Sequence, residues 1–455
     1  MARSALPGFR DFYPDEFARR AHIFRAWREV ARRYAFVEYD GPPLEPLDLY
    51  TKKSGDEIVA QLYAFEDKGG RQVALRPEMT PTLARMVAAR AQALRKPIRW
   101  YSIPQLFRYE RQQKGRLREH FQLNVDIVGE PSELADAELL AVALDCMREL
   151  GLGPDDVRAR VSDRSLLNAA LDAIGVTAAQ RPAVYAVLDK VARQPHGVSK
   201  EKLAGAGLAA TVVDRVLRLP DAGAVDTLRR DFGKAPKLIA ILERFERYLG
   251  HLDALGVRAW VDVDLSIVRG LAYYTGIVFE LFDARGALRA ICGGGRYDTL
   301  LKDLGGADLP ALGFGMGDVV LGELLSQRSG SPAAGVTGAD VYVVGGAGAL
   351  HHGMRDALRV VSHLRRAGLS VDYALSEEKY AARGFHNQLD AARKTGAACA
   401  AYFESDTELV VQGLLGKLSD APRAAVPAAS ALDGDGETLE RVRAFILSVR
   451  GGASH

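Results

Sequence analysis

A charged side chain interrupts a run of residues whose pattern is typical of a buried strand. Arg108 stands between Phe107 and Tyr109 in the stretch from Trp100 to Gly129. A buried charge needs a partner or an anionic ligand, because an unpaired charge is costly to remove from water. The planar fork of arginine suits phosphate or carboxylate, which it binds through two hydrogen bonds. Arg108 therefore indicates an anion site, although an ordinary hairpin with a solvated face also explains the stretch.

A row of polar side chains follows in the same stretch, which we interpret as two strands joined by the basic loop RQQKGR. The first strand is expected to run to about Glu110. In the second, apolar residues alternate with Gln122, Asn124 and Asp126, and this alternation places the two sets on opposite faces. Gln122 and Asp126 then lie ~13 Å apart on one face, at ~3.3 Å per residue. That distance is the span of a small substrate.

The segment RPEMT, at residues 76–80, forms a corner between a predicted strand and a predicted helix. Pro81 opens the helix, so Glu78 and Thr80 stand at the turn, where polar side chains commonly face ligands. A carboxylate at Glu78 suits a substrate ammonium group. Thr80 is also expected to cap the helix, with or without a role in binding.

Two later segments combine glycines with aromatic and basic residues. RGLAYYTG contains Arg269, Tyr273 and Tyr274, and GGGRYD follows at residues 293–298. A lone glycine triplet is weak evidence for a binding site, because it could equally form a tight turn. Here, however, two tyrosines and two arginines, the second of them Arg296, accompany the triplet. We therefore interpret it as the wall of a small-molecule pocket, because a glycine backbone lets a ligand approach closely.

Composition narrows the class of protein. A chain of 455 residues is expected to form two or three domains, and a net charge of +2 gives no overall basic field for a nucleic-acid partner. The three cysteines are far apart, which argues against a disulfide framework or a zinc site. We find no apolar signal-peptide core and no run of about 20 apolar residues. A cytoplasmic enzyme or binding protein fits these properties.

The elements that position the candidate residues fall into distinct regions of the chain. Strand and helix patterns mix through residues 1–325, but between 165 and 255 the pattern is helical only and indicates an inserted subdomain. Residues 326–338 have linker composition. Strands and helices alternate in 339–455, which predicts a separate α/β domain, although 426–436 is of low complexity.

Five segments occur in the order typical of one family: RPEMT, FRYERQQKGR, FQLNVDIVG, RGLAYYTGIVFE and GGGRYD. In these, the chain resembles the bacterial histidyl-tRNA synthetases, which are class II aminoacyl-tRNA synthetases. The resemblance implies an α+β fold, with an antiparallel-sheet catalytic domain, a helical insertion and a C-terminal α/β anticodon-binding domain. It also implies a homodimer, because Pro42 and Glu45 match the motif that forms much of the family's dimer contact.

The resemblance further implies a reaction and the residues that carry it. The reaction is the ATP-dependent ligation of L-histidine to tRNA(His) through a histidyl-adenylate, with Mg²⁺ on the outer phosphates. Arg108 and Arg116 match ATP-binding arginines, and Arg108 and Arg269 are the implied catalytic pair on the α-phosphate. The implied histidine-binding residues are Glu78, Thr80, Gln122, Asp126, Tyr273, Tyr274 and Tyr297.

Three positions depart from the family pattern. Val320 stands where the third class II motif usually has an arginine for the γ-phosphate, so either a neighbouring cation substitutes or the chain belongs to a divergent subgroup. Ala272 replaces a common aspartate, and Asn124 stands where glycine is frequent.

The missing arginine leaves open a non-catalytic alternative on the same fold, the regulatory subunit of ATP phosphoribosyltransferase. RPEMT, FRYERQQKGR and the C-terminal α/β domain favour the ligase instead. A class II synthetase for another amino acid is a second alternative, against which RGLAYYTG and GGGRYD argue. The C-terminal domain has no aromatic–basic signature that would name anticodon contacts.

Overall fold

The computed structural model describes residues 5–51, 59–110, 115–191, 194–221, 224–233, 235–267, 274–286, 288–328, 338–344, 352–376, 384–415 and 420–451. The chain forms two compact units. One consists of Met1–Phe12 and Arg19–Ser329, and the other of Tyr13–Ala18 and Gly330–His455. Within the described ranges, every helix is too short or too polar to span a bilayer.

The elements up to residue 329 include helices and strands in irregular alternation. The helices are α1 Pro14–Arg33, α2 Asp48–Thr51, α3 Thr80–Arg90, α4 Glu133–Glu149, α5 Arg164–Ile174, α6 Arg181–Leu188, α7 His196–Gly205, α8 Ala210–Val216, α9 Ala224–Phe232, α10 Pro236–Ala254, α11 Leu300–Asp303 and α12 Asp318–Ser326. The strands are β1 Val37–Glu38, β2 Leu44–Pro46, β3 Tyr63–Glu66, β4 Gln72–Leu75, β5 Ile98–Ser102, β6 Gln105–Phe107, β7 Glu119–Val128, β8 Val157–Asp163, β9 Val261–Val263, β10 Ile277–Asp283, β11 Cys292–Arg296 and β12 Ala311–Gly317.

One large sheet organises the first unit. Its described strands number nine, in the order β1-β5-β7-β12-β11-β10-β8-β9, and β6 also pairs with β7. The central pairs are antiparallel, whereas the two edge pairs, β1 with β5 and β8 with β9, are parallel. β2, β4 and β3 form a separate small antiparallel sheet. The architecture is α+β, as the sequence predicts.

The predicted length of the first strand of the central hairpin is wrong. Instead of one strand to about Glu110, the chain forms β5 and β6, which both pair with β7 and are separated by Ile103 and Pro104. Proline has no backbone N–H to donate to a ladder, which suits it to a break. The carbonyl of Pro104 still accepts a hydrogen bond from the backbone N–H of Gln122, at 3.1 Å.

The helices between residues 164 and 254 share one hydrophobic core with the sheet. α5 begins at a cap, because the Asp163 side chain accepts from the N–H groups of Ser165 and Leu166, and it ends at Gly175, whose φ of 99° is left-handed. α10 packs on α4 and α5, and α4 packs on β7, β11 and β12. Phe245 of α10 is therefore buried in the same cluster as Val125 of β7.

The second unit is an α/β domain. Its elements are β13 Val341–Val343, α13 Met354–Arg366, β14 Val371–Tyr373, α14 Phe385–Lys394, β15 Cys399–Phe403, β16 Glu408–Gly413, β17 Arg423–Pro427, α15 Ala428–Asp433 and α16 Gly436–Gly451. The described strands form a mixed sheet in the order β14-β13-β15-β16-β17, parallel up to β15 and antiparallel beyond it.

Residues 426–436, which are of low complexity in composition, form regular secondary structure. The segment completes β17 and forms α15, in which Ala428 and Ala431 are buried. Alanine has the highest helix propensity, so an alanine-rich run forms a helix readily once a core covers it. The sequence analysis missed β16, which lies between two strands and is buried along most of its length.

Candidate active site

A cavity of about 920 Å³ lies against the central strands of the large sheet. Its wall includes residues of β7, β10, β11 and β12, the first turn of α12, and the segments 78–80, 108–110 and 115–117. Arg269 and Tyr273, two of the predicted site residues, lie outside the described part of the chain. The remaining predicted site residues all line this cavity: Glu78, Thr80, Arg108, Arg116, Gln122, Asp126, Tyr274 and Tyr297.

Strand β7 supplies the floor of the cavity, as its alternating pattern predicts. Gln122 and Asp126 face the cavity, while Leu123 and Val125 are buried in the core on the opposite face. Asn124, at the position where the family often has glycine, also lines the cavity, and its Nδ2 donates to the carbonyl of Gln122 at 3.1 Å.

Two glycines of β12 make room for the polar row of β7. A Cβ built on Gly313 would overlap the Asp126 carboxylate, and a Cβ on Gly315 would come within 2.7 Å of the Gln122 amide. Contacts this short do not occur at real Cβ atoms. The glycines of LGFGMG therefore have a steric reason, because they leave space on β12 for the Asp126 and Gln122 side chains of the neighbouring strand.

Asp126 and Tyr297 are joined by a hydrogen bond at the base of the cavity. The Tyr297 hydroxyl donates to Oδ1 of Asp126, and the two side chains are only 2% and 5% exposed, respectively. Burial raises the pKa of Asp126 to about 7, and the bond from Tyr297 offsets part of that rise. Burial also raises the pKa of Tyr274. Together these groups can donate to and accept from a small polar ring.

The corner between β4 and α3 places Glu78 and Thr80 on the wall of the cavity. Glu78 is buried, with 5% of its surface exposed. The expectation that Thr80 caps α3 is wrong, because Met79 occupies the N-cap position, without a side-chain cap, and Thr80 is the first helical residue. Thr80 therefore reaches the cavity from the first turn of the helix.

The two described arginines of the predicted phosphate site are held differently. Nε of Arg108 donates to the carbonyl of Pro77 at 2.9 Å, which anchors the guanidinium at the cavity wall. Arg116 forms an ion pair with Glu110, and its Nη2 donates to Glu110 at 2.7 Å. Both cations border the same cavity as the Asp126 pair.

The glycine triplet lies within strand β11, not in a turn. Gly293 and Gly294 line the cavity. A Cβ on Gly294 would come within 2.8 Å of Phe279, and a Cβ on Gly295 within 2.7 Å of the Ile277 carbonyl. Close packing inside the sheet therefore requires the second and third glycines, in addition to any approach by a ligand.

Arg296, unlike its neighbours Gly294 and Tyr297, is not part of the pocket wall. Its guanidinium is buried and forms an ion pair with Asp136 of α4, at 2.7 Å. It also donates to the carbonyls of Glu130 and Ser132, both at 3.0 Å. The cation therefore fastens β11 to the beginning of α4, and its charge is used inside the protein.

The structure adds cavity residues that the sequence analysis did not select. Glu280 lies on β10, and Arg289 lies in the loop between β10 and β11. His120 of β7 lines the cavity too, and its pKa is lowered to about 3, first by burial and then by the charges of Arg108 and Arg10. Strand alternation could have indicated Glu280, whereas a loop cation such as Arg289 has no periodic signal. Val320, at the departing third-motif position, also lines the cavity.

The arrangement suits a ligand with a zwitterionic, polar part and an anionic part. Glu78, Gln122 and Asp126 provide carboxylate and amide groups for the first part, and Arg108 and Arg116 provide cations for the second. Among the described residues, no group of three or more His, Cys, Asp or Glu side chains could hold a metal ion.

Residues 8–317 match the family model of histidyl-tRNA synthetase. The chain belongs to this family. It is 47% identical to a histidine–tRNA ligase of Opitutus terrae, over 88% of this chain and 91% of that protein. It is 41% identical to the chloroplastic/mitochondrial histidine–tRNA ligase of Arabidopsis thaliana, over 82% of this chain and 75% of the relative. The prediction of a class II aminoacyl-tRNA synthetase is thereby confirmed.

Solved structures support the same fold for this synthetase. A histidyl-tRNA synthetase from Nostoc sp. PCC 7120 has a TM-score of 0.79 at 24% identity and covers 97% of this chain and 99% of that chain. A Bacillus halodurans protein titled as an ATP phosphoribosyltransferase regulatory subunit/histidyl-tRNA synthetase has a TM-score of 0.69 at 22% identity, covering 81% and 92%. Likenesses at such identities show the fold alone, so the second does not favour the regulatory alternative.

Proposed function

We propose that the enzyme activates L-histidine with ATP and transfers it to tRNA(His), releasing pyrophosphate and AMP. One observation carries this proposal beyond family membership. The arginines of the β6–β7 hairpin and the Asp126–Tyr297 pair border a single cavity. A phosphate and an amino acid can therefore meet inside it.

Histidine would lie along β7. The buried Glu78 carboxylate suits the ammonium group, and the Gln122 amide suits the carboxylate. Asp126, Tyr297 and Tyr274, with Tyr273 from the undescribed segment, would hydrogen-bond the imidazole. A buried polar pocket of this kind can reject ring isosteres without the two nitrogens by ~10⁴-fold or more, because its groups would be left unpaired.

Adenylate formation needs no general base, since the histidine carboxylate is itself the nucleophile. It attacks the α-phosphorus of ATP, and pyrophosphate leaves. Positioning and charge stabilisation then carry the step. We assign the α-phosphate to Arg108 and Arg269, and a supporting contact with ATP to Arg116. The terminal ribose hydroxyl of tRNA(His) would next attack the adenylate carbonyl and release AMP.

ATP would enter with Mg²⁺ on its outer phosphates. Magnesium keeps several waters and is usually held by phosphates with one or two carboxylates. Glu280, a carboxylate on the cavity wall, would supply such a ligand. The metal would neutralise charge on the leaving pyrophosphate.

The remaining assignments concern assembly and regions of the chain. We propose a homodimer in the cytoplasm, with the contact near Pro42 in the segment before β2. Glu45 itself is buried and accepts from Thr82 at 3.0 Å and from Arg85 at 2.6 Å, so its role is to brace that segment from within. We assign 165–255 to the tRNA acceptor arm and 339–455 to the anticodon.

ATP–pyrophosphate exchange with each of the twenty amino acids tests the proposed function. We expect exchange with histidine alone, followed by histidylation of tRNA(His) when the tRNA is added. Absence of exchange with every amino acid would contradict the proposal and direct attention to a regulatory role beside a phosphoribosyltransferase.

A further inference from the structure

The first turn of α12 presents no cation to the cavity. Val319 and Val320 line it, and Asp318 is buried, where it accepts a hydrogen bond from Arg10 at 2.9 Å and another from the backbone N–H of Phe121. Helix α12 therefore cannot supply the charge that the outer phosphates of a nucleotide require. A cation for that end of the ligand must come from another element.

Arg289 reaches the part of the cavity near Val320, but it belongs to a different element. It stands in the loop before β11 and is exposed at the cavity wall. A Cβ built on Gly115 would lie 3.9 Å from Cδ of Arg289 and 3.4 Å from Cγ2 of Val320. The arginine stem, the turn that precedes Arg116 and the valine side chain thus converge on one spot.

The guanidinium of Arg289 is available to a ligand. Within the described ranges it makes no hydrogen bond or ion pair, whereas Arg116 is paired with Glu110 and Arg108 is anchored on the Pro77 carbonyl. An arginine that lines a cavity with two other arginines, and that has no acidic partner in the described part of the chain, has the chemistry of a phosphate site.

We propose that Arg289 binds the terminal phosphates of ATP, in place of an arginine on α12. The proposal rests on the proposed function, because it requires ATP to be the nucleotide in this cavity. It assigns to the β10–β11 loop the charge that would align the pyrophosphate leaving group with the attacking carboxylate.

The test compares three variants in the ATP–pyrophosphate exchange assay, which contains no tRNA. Arg289→Ala removes the cation, and Arg289→Lys keeps the charge but loses the fork. Arg285→Ala is the matched control, because Arg285 is an exposed arginine of the same loop region that does not line the cavity. For each variant, the KM for ATP, the KM for histidine, inhibition by AMP and the melting temperature are measured.

We expect Arg289→Ala to raise the KM for ATP about tenfold or more, as loss of a charge-assisted hydrogen bond does. Arg289→Lys should raise it less, and Arg285→Ala should leave it unchanged. The KM for histidine and inhibition by AMP should not move, because AMP lacks the terminal phosphates.

Two results would overturn the assignment while the proposed function stands. One is an Arg289→Ala enzyme with the same KM for ATP as the Arg285→Ala control. The other is an equal rise in the KM for ATP and for histidine, which would indicate a general disturbance of the cavity. A wild-type protein that shows no histidine-dependent exchange would instead contradict the proposed function itself.

Discussion

The Asp126 carboxylate lies over the backbone of Gly313, so closely that a Cβ on the glycine would overlap it. The two residues are register partners on β7 and β12. The glycine thus allows the strand beside the proposed imidazole site to accept a buried carboxyl group, whose other side is held by Tyr297. The proposed recognition of imidazole by Asp126 therefore depends on a residue that has no side chain.

Gly313→Ala is expected to raise the KM for histidine, because the new methyl group displaces the Asp126 carboxylate. Overpacking of this kind costs about 1–3 kcal/mol, part of which will appear as a lower melting temperature. Gly322→Ala in α12 is the control, since a Cβ there would lie 3.8 Å from Ile23, an ordinary contact. Steady-state kinetics and thermal melts of both variants are the measurement. An unchanged KM for histidine would show that Asp126 does not contact the substrate.

Asp126→Asn should have opposite effects on activity and stability. Burial raises the pKa of Asp126 to about 7, above its value in the unfolded chain, which is about 4. The folded protein therefore holds the proton between these values, and the free energy of unfolding falls as pH rises from about 4 to about 7. Asparagine does not titrate, so the variant does not lose this stability. The free energy of unfolding of the variant minus that of the wild type should therefore be larger at about pH 8 than at about pH 5. Its KM for histidine should rise.

Urea unfolding and histidine kinetics at both pH values check the Asp126→Asn prediction. A stability difference that does not change with pH would contradict the buried, protonated state of Asp126 in the folded protein. An unchanged KM for histidine would remove this residue from the substrate site.

Arg296→Met is expected to destabilise the fold without acting on the chemistry. The substitution leaves the buried Asp136 carboxylate without its ion-pair partner, and removing one member of such a pair costs about 3–5 kcal/mol. The loss should be smaller at about pH 5, where an unpaired Asp136 is protonated and neutral. Denaturant unfolding beside an Arg285→Met control is the measurement. A variant with wild-type stability and impaired exchange would place Arg296 in the active site after all.

Arg108→Ala should lower the rate of exchange by about 10²–10³-fold while the melting temperature changes little. The side chain is partly exposed at the cavity, and the one hydrogen bond that it makes with described residues is to the Pro77 carbonyl. Arg269→Ala is expected to have the same consequence. Exchange near the wild-type rate in either variant would refute the corresponding assignment to the α-phosphate.

Leu44→Asp is expected to convert a dimer to a monomer. Leu44 on β2 is 37% exposed and directly follows the Pro42 segment to which we assign the contact, and Val37 on the edge strand β1 is 62% exposed, so the proposed contact would cover both apolar side chains. Leu375→Asp is the control, because Leu375 is 88% exposed in the second unit. Light scattering coupled to size exclusion measures the mass. A monomeric wild-type protein, or a dimer that persists in Leu44→Asp, would contradict the assigned contact.

Local patterns in the sequence determined most of the elements and most of the candidate site. The period of two in β7 is a property of neighbouring residues, so the cavity-facing positions of Gln122 and Asp126 followed from it directly. Motif order then assigned residues that lie far apart along the chain, such as Glu78 and Tyr297, to one site. Helix signals were equally local, as at α5, with its aspartate cap and its terminal glycine.

Only the tertiary structure decided which polar residues face the cavity and which serve the fold. Arg296 and Arg289 are both arginines next to the glycine triplet, and nothing in their immediate sequence separates them. Arg296 is buried against Asp136, 160 positions earlier in the chain, while Arg289 stays at the cavity wall. The steric need for Gly313 likewise arises from Asp126 on another strand. Such partners are brought together by strand register and helix packing, which depend on contacts across the whole unit and leave no periodic trace in the sequence.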